Sequence, residues 1–386
     1  MTSPIHEDSQ QGLMALAPEA ELPQHLDSDL LDTPALLVDL DLLEGNIASM
    51  ADLAARRGML LRPHAKSHKS VHIARMQLAA GATGLCLSTV GEAEVMWRNG
   101  FDDLLLAYPI IGEAKLRRLR PVADAGILTL VADSIEVAEG YSRLATAVGR
   151  PISVLIEIDS GMHRVGKTPD QAGPLAADVD RLPGLHVTGI LTHAGQAHQA
   201  PDQQAIEKVA RDEVRAMQRA RYGLETHGLQ VSVVSAGSTI TTPYLSADDG
   251  ITEVRPGTYV FNDLRTLSRY ACRPDQLALS MLATVVSRGP GRATLNVGSK
   301  SITTANSEQH GYGHVVNRAG SGFGLLSEEH AVLDLAPEDE DLHVGQRVRI
   351  LPIHACVWMD LQAEVYGTRR GQLVQRIRVD AMRRSR

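Results

Sequence analysis

From about residue 35 the chain alternates short aliphatic runs with longer amphipathic stretches. That rhythm marks βα units and a parallel sheet. It predicts strands at 35–40, 59–64, 84–89, 103–109, 127–133, 153–159, 186–193 and 231–237. Between them, stretches such as DLLEGNIASMADLAARRG and VGEAEVMWRNG carry helical patterning and end at glycine, as helices often do. Eight repeats suit an α/β fold of the (β/α)8 barrel type, whose active site forms at the C-terminal strand ends. A doubly wound sheet is the competing architecture, but no GxGxxG follows the first strand. After about residue 265 the pattern changes to strand-like segments with no long helix between them: ALSMLATVVSR, RATLNVGS, HAVLDLA, RVRILPIHACVW and LVQRIRVDAM. The expected organisation is a leading segment at 1–30, a barrel at 31–265 and a mainly β domain at 266–386.

A length of 386 residues agrees with two domains. The formal charge of −8, with no basic tract, argues against nucleic-acid binding. No apolar stretch approaches the roughly 20 residues that span a bilayer, and the polar, acidic MTSPIHEDSQQG does not read as a secretory signal. Three cysteines, Cys86, Cys272 and Cys356, are too few and too odd in number for a disulfide framework. A reducing, cytoplasmic setting is expected.

Chemistry concentrates first at LLRPHAKSHKS, where an aliphatic run breaks at Pro63 and delivers Lys66 between His64 and His68. Desolvation at a strand end, with Arg62 nearby, would favour a neutral, nucleophilic amine. Read alone, the segment fits a solvated loop lysine equally well. Polar clusters then recur at successive strand ends. Asp159, Gly161 and Arg164 follow the sixth strand, and His193, Gly195 and His198 the seventh. Gly237, Ser238 and Thr239 form a turn able to cradle a phosphate, and Arg255, Gly257, Thr258 and Tyr259 come next. Each cluster alone is ordinary turn chemistry; their recurrence is the signal. Finally, His354 and Cys356 in LPIHACVWMD would face one side of a strand at metal-ligand spacing. A lone pair supplies only half a tetrahedral shell, and buried cysteine is often just a small hydrophobe.

Together DTPALLVDLDLLEGNI, RPHAKSHKS, IDSGMHRVG, THAGQAH, SAGSTIT, EVRPGTYVF and HAC resemble the fold-type III pyridoxal-phosphate enzymes, specifically the D-serine dehydratase and D-threonine aldolase group. The resemblance spans about residues 30–375. It implies an alanine-racemase-like barrel followed by a β domain, with Lys66 as the lysine that carries pyridoxal 5'-phosphate. It places Arg164 beside the cofactor ring, and the SAGST turn with Gly257 and Thr258 around the phosphate. The cofactor shell it suggests comprises Lys66, His64, Arg164, His193, Gly237, Ser238, Thr239, Arg255, Gly257, Thr258 and Tyr259.

It also implies a divalent metal on His354 and Cys356. Aldolases of the group typically carry His-x-Asp and dehydratases His-x-Cys; thiolate favours zinc over magnesium or manganese. Asp360 nearby complicates that distinction, and Asn296 stands where relatives often have an acidic residue. The implied reaction is dehydration of a D-3-hydroxy amino acid to a 2-oxo acid and ammonia, with Lys66 as the base at Cα. The alternatives are retro-aldol cleavage with His193 or His198 as base, racemisation, or a non-catalytic pyridoxal-phosphate binding protein. A homodimer is the expected assembly.

Overall fold

The computed structural model describes Leu26 and residues 31–307 and 310–386; the rest of the leading segment 1–30 lies outside the described residues. The first sheet has eight parallel strands. They are β2 (Leu60–Leu61), β3 (Leu85–Leu87), β4 (Leu104–Leu106), β5 (Leu128–Ala132), β6 (Ile152–Ile158), β7 (Leu185–Thr192), β8 (Val233–Ala236) and β9 (Glu253–Val254). Helices α1 (Leu40–Arg56), α2 (Val71–Ala79), α3 (Val90–Arg98), α4 (Glu113–Asp124), α5 (Ile135–Val148), α6 (Pro169–Asp180) and α7 (Gln203–Thr226) surround it. Left-handed glycines close α1 and α3, at Gly58 and Gly100, where the sequence punctuates them.

The order β2-β9-β8-β7-β6-β5-β4-β3 leaves β2 and β3 at the two ends. A parallel bridge between His64 and Cys86 joins them, with the Cys86 N–H donating to the Pro63 carbonyl at 2.9 Å. The barrel therefore closes through the segment that carries Lys66. Inside, Cys86, Leu105, Val131, Leu155 and Leu191 pack as one cluster, one inward residue from each of five strands.

One predicted barrel strand belongs elsewhere. The 35–40 run forms β1 (Ala35–Asp39), which pairs with β10 (Leu279–Gly289) and β16 (Glu364–Arg369) of the second sheet. A strand buried on both faces is a continuous aliphatic run in either sheet, so the pattern cannot say which sheet it joins. The eighth barrel strand is β9, two residues long and headed by Glu253, too short and polar to announce itself.

The second sheet has nine strands. Besides β1, β10 and β16 these are β11 (Arg292–Leu295), β12 (Gly313–Val315), β13 (Gly322–Leu326), β14 (Ala331–Asp334), β15 (Arg347–Pro352) and β17 (Gln372–Arg378). Short helices α8 (Leu264–Ser268), α9 (Ser299–Ile302) and α10 (Ala355–Asp360) flank its strands. Here the expected strand through HACVW is corrected. β15 stops at Pro352, which cannot donate a ladder hydrogen bond, and His354 becomes the N-cap of α10. Asn296 ties Thr33 to Thr284 rather than facing any cavity.

Candidate active site

A cavity of about 690 Å³ opens at the C-terminal ends of the barrel strands. Lys66, half-buried in a single helical turn after β2, lies on its wall with His64 and Ser67. Arg164 follows β6, His193 and His198 follow β7, Ser238 and Thr239 follow β8, and Arg255, Gly257 and Thr258 follow β9; all reach the same space. The β domain contributes His354, Cys356 and Asp360. Residues from five strand ends and a second domain thus converge, the juxtaposition a barrel-top site requires.

Two predicted residues do not line the cavity. Gly237 turns with φ +79° and donates its N–H at 2.9 Å to Glu213, away from the open space. Tyr259 is buried; its N–H donates to Thr239 Oγ1 at 3.1 Å and its hydroxyl accepts from Gln77 at 3.0 Å. Arg62 is likewise not the cation beside Lys66. Its guanidinium is held by Glu253 at 2.6 Å and Asp103 at 2.6 Å. Arg255 takes that place, anchored by Ser235 Oγ at 2.6 Å and by the Thr192 carbonyl. His68, the other sequence neighbour of Lys66, is a core residue: burial pushes it down to about 4, and it bonds Gln77 at 3.1 Å.

Burial, then the charges of Lys66 and Arg255, hold His64 well below its usual range. His193 is shifted the same way by burial, Lys66 and Arg164. Both imidazoles are therefore neutral near pH 7. Gly257 has a packing role: a Cβ there would come within 2.7 Å of Ser67 Oγ and 3.2 Å of His64. Only glycine lets the β9 loop approach the lysine turn so closely.

Two functional carboxylates escape the sequence reading. Glu157 on β6 is 4% exposed, lines the cavity, and its Oε2 has no hydrogen-bond partner. β6 stands four places from β2 in the eight-strand order, so Glu157 faces Lys66 from across the barrel. The available signal was a glutamate inside the aliphatic run SVLIEID. Asp263, fully buried, caps α8 through the Thr266 N–H at 2.8 Å and the first N–H of α10 at 3.0 Å. The same carboxylate holds His354 Nδ1 at 3.2 Å. Asp263 followed three residues later by Thr266 is a capping signature, but nothing in sequence ties it to His354.

His354 and Cys356 do converge, from the first turn of α10 instead of from a strand. Burial alone would raise the Cys356 thiol, but His354 beside it and the Ser67 hydroxyl bring it down. Burial would lower His354; the Cys356 sulfur and Asp263 raise it instead. These shifts favour the thiolate, the form of sulfur that a metal takes; a metal would take the imidazole neutral, so binding would release the His354 proton. Among the described residues no cluster of three or more His, Cys, Asp or Glu forms a complete metal shell. The site offers two protein ligands, and Asp263 at Nδ1 would leave Nε2 as the His354 nitrogen for a metal.

Pyridoxal phosphate also meets fitting residues: a primary amine, the hydroxyls of Ser238 and Thr239, and the guanidinium of Arg255. The N–H groups of Thr239, Gly257 and Thr258 have no hydrogen-bond partner among the described residues. His64 Nδ1 is buried without a partner as well. Unpartnered donors and acceptors around one cavity are what a polar ligand would satisfy.

The sequence matches the family model for the alanine racemase N-terminal domain over residues 38–264, more than half of the chain. The chain belongs to that family. Residues 278–368 match the putative serine dehydratase domain. A D-threo-3-hydroxyaspartate dehydratase from Delftia sp. (strain HT23) is 36% identical, covering 84% of this chain and 91% of that protein. D-threonine aldolase from Filomicrobium marinum superposes with a TM-score of 0.86 at 29% identity, covering 94% of this chain and 98% of that one. A cysteine-to-alanine mutant of a D-threo-3-hydroxyaspartate dehydratase, solved in the metal-free form, superposes with a TM-score of 0.84 at 33% identity, covering 92% and 99%. With that membership, the fold is the alanine racemase-like barrel and β domain of fold-type III enzymes, and the protein is a pyridoxal-phosphate-dependent lyase.

Proposed function

We propose that the protein dehydrates a D-3-hydroxy amino acid, releasing a 2-oxo acid and ammonia. The observation that carries this reading is the identity of the second metal position. Asp360, the carboxylate that could imitate an aldolase ligand, is bound by Lys69 Nζ at 2.6 Å and by the Arg383 N–H at 2.8 Å. Both contacts fall on Oδ1, whereas the Cys356 sulfur lies directly against His354, and Cys356 is the residue taken to accompany it. The dehydratase name of the 36% identical relative points the same way.

When bound, pyridoxal phosphate supplies the electron sink that weakens the bonds at Cα. Lys66 is the residue that would hold it through its amine, and Lys66 Nζ is the base that takes the α-proton. Ser238, Thr239 and Thr258 hold the phosphate from the β8 and β9 loops. Arg255, fixed by Ser235 and Thr192, keeps positive charge beside the reacting centre without moving. His354 and Cys356 would hold a divalent cation, zinc by ligand softness, whose Lewis acidity aids departure of the β-hydroxyl. The proton reaching that leaving oxygen comes from the cavity wall, where neutral His193 and Glu157 stand.

The 0.86 superposition on a D-threonine aldolase keeps retro-aldol cleavage as the second reading, with neutral His193 as base at the hydroxyl. The assembly we expect is a homodimer in which the β domain of one copy approaches the barrel mouth of the other. Exposed Tyr108 and Ile111, in the loop after β4, give that contact an apolar surface. We place the enzyme in the cytoplasm because Cys86, Cys272 and Cys356 are all free thiols and Cys356 must stay reduced to bind metal. No helix among the described residues is long and apolar enough to cross a membrane.

The test is turnover of D-serine, D-threonine and 3-hydroxy-D-aspartate, followed as 2-oxo acid, before and after chelation and after zinc is returned. Chelator-sensitive formation of 2-oxo acid supports the reading. Activity indifferent to chelator and to His354→Ala removes the metal from it.

A further inference from the structure

Helix α7 buries Ile206, Ala210, Glu213, Met217, Ala220 and Leu224, an apolar stripe interrupted by one carboxylate. Glu213 is 0% exposed, and placing an anion in such a stripe is costly unless specific partners offset it. It does not line the cavity, and nothing in the proposed mechanism uses it. Its partners show what it does. Oε1 accepts the Gly237 N–H at 2.9 Å. Burial is the largest effect and pushes its pKa up, opposed by Gly237, the Thr241 hydroxyl, Arg255 and the Ala194 N–H, and Oε2 has no hydrogen-bond partner among the described residues.

These groups share a location. Gly237 immediately precedes Ser238 and Thr239, and Ala194 immediately follows His193. Thr241 Oγ1 in turn accepts the Ser238 N–H at 3.0 Å. One carboxyl group behind the cavity wall therefore holds the start of the loop after β8. Only glycine fits at Gly237: its φ is +79°, and a Cβ there would come within 2.8 Å of Thr242 Oγ1 and 3.1 Å of Val254. By holding the Gly237 N–H, Glu213 fixes the Ala236–Gly237 peptide that leads into Ser238 and Thr239, which line the cavity.

We infer that Glu213 is a positioning residue for the phosphate-binding turn, setting the preference for a phosphorylated cofactor over its dephosphorylated form. The inference rests on the proposed placement of the cofactor phosphate at Ser238 and Thr239.

The experiment strips cofactor from the full-length enzyme and titrates it with pyridoxal phosphate or pyridoxal, reading bound cofactor by absorbance rather than activity. Wild type should bind pyridoxal phosphate far more tightly than pyridoxal. Equal affinity there would overturn the phosphate placement itself, a failure distinct from that of Glu213. Glu213→Leu fills the stripe with an apolar side chain but orphans the Gly237 N–H. It should weaken pyridoxal phosphate about tenfold or more while leaving pyridoxal nearly unchanged. Glu213→Gln keeps an acceptor oxygen and should fall between. Equal weakening of both ligands means a merely structural role and overturns the inference, as does unchanged pyridoxal phosphate binding. If Glu213→Leu does not fold, Glu213→Gln and Thr241→Val read out the same ratio.

Discussion

Lys69 Nζ lies 2.6 Å from Asp360 Oδ1 and 3.5 Å from Glu92 Oε1, closing one side of the cavity with a charge cluster. This contact joins the segment after Lys66 to the last residue of α10, whose first turn carries His354 and Cys356. It also engages Oδ1 of the carboxylate that would compete as a metal ligand. Asp360→Asn should therefore leave metal content unchanged, while Cys356→Ala and His354→Ala should each abolish it. Elemental analysis of the purified variants checks this; loss of metal in Asp360→Asn would place Asp360 in the coordination shell.

Asp263 holds His354 Nδ1 and the Ala355 N–H with one oxygen. Asp263→Asn removes the charge and breaks the match to both donors. Metal affinity should fall about 10- to 100-fold, with the cofactor still bound. Competition with a chelating dye measures it; wild-type affinity would show that His354 is oriented by something else.

Lys66→Ala should lower turnover by about 10²- to 10⁴-fold even with cofactor supplied, because the α-proton loses its base. Borohydride reduction of the wild-type holoenzyme should tether cofactor to the peptide containing Lys66. Mass spectrometry that finds the label on Lys69 instead would reassign the anchoring residue.

Burial pushes the Glu157 carboxyl up from 4.5 to about 7; Arg255 and Arg164 oppose the shift and Asp133 adds to it. A folded pKa above the unfolded one means the native state binds the extra proton between those values. Stability from this group is thus present at low pH and is lost as pH rises from about 4.5 to about 7. Glu157→Gln, permanently neutral, should gain on wild type across that window by about 1–3 kcal/mol. Thermal melts of both cofactor-free proteins at pH 5 and pH 8 test it. A constant difference would mean that Glu157 does not change charge in this window.

The barrel was legible because parallel strands buried on both faces leave aliphatic runs with turn residues between them. That same property misplaced β1, whose ALLVD is as aliphatic as any barrel strand but pairs with β10 and β16. β9 went unread because a two-residue strand beginning with glutamate has no period. Lys66, the strand-end histidines and the His-x-Cys pair were visible as residue types, though the pair was read on a strand and stands at a helix start. The buried carboxylates were not, since Glu157, Glu213 and Asp263 are residue types that a linear reading assigns to solvent. Glu213 and Asp263 are held inward by contacts more than twenty residues away, which no local window contains, and Glu157 faces inward by strand alternation with Leu155.

D-threonine decides whether the enzyme eliminates at Cβ. With pyridoxal phosphate and zinc present, 2-oxobutyrate and ammonia should form in equal amounts from each D-threonine consumed. Glycine and acetaldehyde in place of those products would contradict elimination and make the protein an aldolase.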